Sequence, residues 1–159
     1  MRMQLPITLT LALVFAMPAT TLSAAQFVHP ASFRAISNDE LREFVNHLQS
    51  TSNDFDDDFT DALDDTLLDG TDEEDRLQNQ AEALEDTFDK MRDAFKNGGS
   101  DAEVRDLAAR ALTIAADINR VILKHHFKYE VEGDWDHIRR DLNGVAEYFG
   151  LPALPSHPQ

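Results

Sequence analysis

Twelve of the 22 residues from Asp54 to Asp75 are Asp or Glu, and none is basic. Carboxylates at this density either bind cations or present an anionic surface. Asp54, Asp56 and Asp58 have the one-three-five spacing of a calcium-binding EF-hand loop, but its sixth position is Phe59 instead of Gly and its twelfth is Asp65 instead of Glu. Further along, Lys124, His125, His126, Lys128, Glu130, Glu132, Asp134 and His137 mix imidazoles with carboxylates. That mixture can hold a divalent metal. The candidate ligands are His125, His126, His137, Asp65 and Asp69. The competing explanation is a solvated acidic face, with Lys124, Lys128 and the histidines complementing a helix C-terminus and pairing with nearby acids.

Other chemistries are excluded by what they require. The chain has no Cys, so disulfides, thiol catalysis, Cys-ligated zinc and iron–sulfur clusters are impossible. Gly-x-Ser-x-Gly, a phosphate-binding glycine loop and His-Glu-x-x-His do not occur. A di-iron carboxylate bundle needs Glu-x-x-His on two helices, and only Asp134 with His137 comes near it. Met91 and Trp135 fall on apolar stripes and read as core, while Arg139, Arg140 and Asp141 read as a surface patch. The expectation is a protein that is not an enzyme and has no resident cofactor.

The elements that position these residues are helices. Apolar residues alternate spacings of four and three along Leu41 to Thr66, Leu77 to Phe95, Val104 to His125 and Val131 to Phe149. Capping boxes stand at Ser37 with Glu40, Thr71 with Glu74 and Ser100 with Glu103. Asp69-Gly70-Thr71 and Asn97-Gly98-Gly99-Ser100 supply short turns, and Gly150 ends the last run. These features predict helices near 38–68, 72–96, 101–126 and 131–149. Loops this short make neighbours antiparallel, so the predicted fold is an all-α, up-down-up-down antiparallel four-helix bundle over residues 38–150. In that topology the acidic run and the histidines meet at one pole.

Residues 1–25 read as a signal peptide. Arg2 precedes an apolar stretch from Leu5 to Met17 and a small-residue cleavage site at Ser23-Ala24-Ala25. The apolar run is short of the roughly 20 residues a membrane span needs. An N-terminal arm at 26–37 and a disordered, Pro-rich tail at 151–159 complete the expected organisation. The whole chain has 14 basic and 30 acidic residues, a formal charge of −16. Nucleic acid is therefore an unsuitable partner, since phosphate binding needs clustered Lys and Arg.

Three segments carry a resemblance: Leu68-Asp69-Gly70-Thr71 with Glu74-Asp75, Phe88 to Phe95, and Asp134 to Asn143. From Ser52 to Leu151 the chain resembles a group of small secreted, all-helical bacterial proteins that have no assigned activity. The resemblance implies export, a helical fold and bacterial origin, and it brings no catalytic residue. His125-His126-Phe127-Lys128 and the tail depart from it. The expected function is an exported, periplasmic or secreted acidic bundle, a non-catalytic binding or structural module of the bacterial envelope with a protein partner and no stable membrane insertion. The alternative is a divalent-cation binder using the acidic and His-bearing pole.

Overall fold

A computed structural model of the chain describes residues 36–125 and 127–157. The predicted signal peptide and nearly all of the predicted arm lie outside the described residues. Among the described residues four helices follow in order: α1 Asn38–Asp64, α2 Asp72–Lys96, α3 Asp101–Lys124 and α4 Tyr129–Phe149. They pack as a four-helix bundle, with α1 against α2 and α4, and α3 against the same two helices. No described helix is long and apolar enough to cross a membrane.

Local chemistry sets the helix starts. At Ser37 both halves of the capping box close: the Glu40 N–H donates to the Ser37 hydroxyl and the Ser37 N–H donates to the Glu40 carboxylate. Thr71 and Ser100 accept from the N–H groups of Glu74 and Glu103. α4 has no side-chain cap, and the Glu132 carboxylate instead accepts from the Phe127 N–H ahead of it.

α1 ends at Asp64, a turn before the predicted boundary at 68. Asp61, Asp64 and Asp65 oppose the negative end of the helix dipole, and the last turn of α1 has no basic residue. Thr66 completes the break, since its hydroxyl donates to the Leu63 carbonyl and its N–H bonds the same oxygen. α3 stops at Lys124 instead of 126, and α4 begins at Tyr129 instead of 131.

The seam read from the spacing forms the interior. Leu41, Leu48, Phe55 and Phe59 of α1 are buried with Leu84, Phe88 and Met91 of α2 and Trp135, Ile138 and Leu142 of α4. On α3 the buried stripe is built partly from small residues. Ala108, Ala111 and Ala115 are fully buried while Leu107 and Ile114 are only partly so, so small residues let the neighbouring helices approach closely.

The tail corrects an expectation. Over 151–157 it lies on the bundle, and Leu154 is buried. Its N–H donates to the Asn143 side-chain oxygen at 2.7 Å, and its carbonyl accepts from the Asn143 amide at 3.1 Å. The Asn119 amide donates to the Pro155 carbonyl at 3.0 Å. The tail thus joins α4 to α3, which share the smallest of the four helix interfaces. Proline removes backbone donors, but side-chain amides from the helices satisfy the groups that remain. Asn143→Ala is expected to lose about 1–2 kcal/mol of stability and to speed deuterium uptake at the Leu154 amide. Unchanged exchange there would contradict the clasp.

Candidate functional site

The end of α1 and the connection into α4 lie together, as the pole requires. The Lys128 Nζ pairs with Asp65 at 2.6 Å, and the Phe127 ring packs 5.5 Å from that of Phe59. Hydrogen bonding to Asp65, and then its charge, hold the Lys128 ammonium above its ordinary value. Asp65 is therefore the partner of a lysine.

Asp69 belongs to a second group. Carboxylate oxygens of Asp64, Asp69 and Glu74 lie within 4.8 Å of one another, the only such convergence of three ligating side chains among the described residues. Glu74 is buried by the turn before α2 and accepts from the Gly70 N–H at 2.6 Å and from the Gln78 amide at 3.3 Å. The Gly70 bond draws its carboxyl down, but a hydrogen bond with Asp64, burial, and the charges of Asp64 and Asp69 together leave it above the ordinary value. Gly70 has a positive φ of 72°, which lets the backbone turn its N–H toward that carboxylate.

His137 belongs to a third. It lines an open groove between α1 and α4 with Asp54, Asp57, Asp58, Glu130 and Asp134. Burial and then the charges of Asp58 and Asp54 push the Asp134 carboxyl up, against a smaller opposing effect of His137. On the α2 side of α1, burial followed by Asp57 and Glu82 raises Asp56, and burial followed by Asp56 and Asp89 raises Glu85. The five candidate ligands thus do not form one site. His125 caps α3 through its N–H to the Val121 carbonyl, and His126 lies outside the described residues.

One pair escaped the sequence reading. Asp141, assigned above to a surface patch, is 6% exposed and turned toward α1, where its carboxylate meets the Nδ1 of His47. Of the same patch Arg140 is exposed, whereas the Arg139 side chain is only 17% exposed and pairs with Asp136 at 2.6 Å. Asp141 lies three residues beyond Ile138 and four before Val145, which places it on the inward stripe; that spacing was the available clue. His47 also makes an edge contact with His137, their ring centroids 5.7 Å apart.

Against known proteins, no family model, curated protein or solved structure matches this chain.

Proposed function

We propose that this is an exported, non-catalytic binding or structural module of the bacterial envelope, and that its working surface is the acidic groove between α1 and α4. One observation carries the reading: Asp54, Asp58 and Asp134 face one another closely enough for the first two to oppose ionisation of the third. Like charges held together cost stability, and a cationic protein surface offsets that cost on binding. Export rests on the N-terminal sequence, from Arg2 through Ala25.

A photocrosslinking residue placed at Asp57 in intact cells is expected to trap one defined partner, and the same residue at Thr113 on α3 is expected to trap none. Asp54→Lys with Asp58→Lys removes the adduct. Recovery of free monomer from both positions overturns the reading, and a full-length cytoplasmic product overturns export.

A second reading, divalent-cation binding at the pole, is favoured by the convergence of Asp64, Asp69 and Glu74. Its test is thermal melting in calcium against sodium chloride at matched ionic strength, with Glu74→Gln as the control. Equal stabilisation by the two salts assigns the effect to screening and ends this reading.

A further inference from the structure

We infer that His47 and His137 form a two-imidazole chelating site for a borderline divalent ion, with copper(II) the best fit and zinc next, and that Asp141 is its positioning residue. The site is separate from the carboxylates at the pole and does not depend on them.

The histidines lie on different helices, and the fold alone brings them together, with ring centroids 5.7 Å apart and planes at 81°. A metal–nitrogen bond of about 2.0–2.1 Å puts a ring centroid about 3.2 Å from the ion, so two imidazoles have centroids about 5 Å apart on a tetrahedral zinc ion and about 4.5 Å apart on neighbouring positions of a square-planar copper(II) ion. A small side-chain movement closes the difference. His47 side-chain exposure is 50%, and His137 is also exposed, so both rings have room to move and solvent can complete the coordination shell.

Asp141 supplies the independent observation. An ionised carboxylate only accepts hydrogen bonds, so His47 must carry its proton on Nδ1. In the neutral ring this leaves the lone pair on Nε2, the atom free to bind metal. Carboxylate–histidine–metal triads use the same arrangement to fix the tautomer and raise the basicity of the ligand. The Asp141 side chain is only 9% exposed, so the group that meets the His47 Nδ1 is itself held in place by the packing of α4 against α1. Asp54, Asp58 and Asp134 beside His137 add a negative field that concentrates cations at the site. Imidazole nitrogen favours copper and zinc over calcium and magnesium, and copper(II) binds most tightly along the first-row series.

The test titrates copper(II) into the full chain carrying His125→Ala and His126→Ala, in excess calcium to occupy bare carboxylates. Binding of one equivalent is expected, with electron paramagnetic resonance showing two coordinated nitrogens. His137→Ala, a surface change that leaves the helices intact by circular dichroism, weakens binding at least tenfold and leaves one nitrogen. Asp141→Asn weakens it about 10- to 100-fold with both nitrogens retained. His47→Gln provides the second ligand test. Copper affinity unchanged by His137→Ala and His47→Gln, or no nitrogen signal in the parent, overturns the proposal. Because His137 also lines the partner-binding groove, His47→Gln, which lies outside that lining, separates the two readings: it weakens copper binding and leaves the Asp57 crosslink in place.

Discussion

Trp135→Ala lowers the stability of the bundle by about 4 kcal/mol, within the range measured for large aromatic truncations in cores. Trp135 is 1% exposed, and its ring lies 5.2 Å from that of Phe55. Phe55 stacks on Phe59 at 5.0 Å, and Phe59 meets Phe127 at 5.5 Å, so one line of aromatic rings runs from α4 across α1 to the connection before α4. Truncation opens a cavity against these rings. It also removes the indole N–H that donates to the Asn119 side-chain oxygen at 2.9 Å, orphaning a buried acceptor whose own amide holds the tail at Pro155. Trp135→Phe keeps much of the volume and loses the donor, so about 1–3 kcal/mol is expected from the unsatisfied oxygen together with the smaller ring. Urea unfolding followed by circular dichroism measures both, because the variants lack the only Trp of the chain. Domains of this kind hold about 5–15 kcal/mol in total, so a loss below about 1.5 kcal/mol for the Ala variant would contradict the core assigned to α4.

Acidification from pH 7.5 toward 5 raises the melting temperature. Asp56, Glu85 and Asp134 hold their protons more tightly folded than unfolded, through burial first and neighbouring carboxylates second. Glu74 does the same despite its bond from Gly70, because of Asp64 and its burial. For an acid raised by folding, the folded state binds more protons in the window between the unfolded and folded values. The stability it contributes is full below the unfolded value and is lost as pH rises through the folded one. The ordinary values are 3.8 for Asp and 4.5 for Glu, so the gain falls on the acid side of neutrality, just above them.

Two groups act in the opposite direction. The Gln80 and Arg120 hydrogen bonds lower Asp117, and the Arg76 hydrogen bond lowers Glu73. Their stability is present above the ordinary values and is lost as pH falls through the lowered ones. Melting between pH 7.5 and 3 should therefore pass through a maximum in mild acid. Asp134→Asn should raise the melting temperature at pH 7.5 and flatten the rise. A melting temperature that falls steadily from pH 7.5 downward would show that the acidic faces are not under mutual repulsion.

Periodicity specifies the fold because each helix must bury one stripe, and the stripe is written in residue type. Leu41, Val45, Leu48, Ser52, Phe55 and Phe59 follow one another at spacings of four and three, all but Ser52 are apolar, and all are buried. The caps at Ser37, Thr71 and Ser100 were legible for a similar reason, since a cap is made by residues three apart in sequence. The end of α1 was less so. The apolar pattern runs on to Thr66, whereas the acids and the Thr66 hydroxyl end the helix at Asp64. The tail misled because Pro and short length read as disorder, and the groups that hold it, Asn143 and Asn119, lie on helices that the local sequence does not connect to it.

The sequence by itself determined four helices, their apolar faces, most of their ends and an acidic concentration in the first hairpin, because each of these depends on residues within a few turns of one another. Tertiary structure alone decided which polar groups meet. It sent Asp65 to Lys128, gathered Asp64 and Asp69 around Glu74, and brought His47 to Asp141 from 94 residues away. Such meetings depend on the rotation of each helix about its axis, and a shift of one residue turns a side chain by about 100°. The apolar stripe fixes which face points inward, while the partners of a polar residue at its edge are set only when the neighbouring helices have packed.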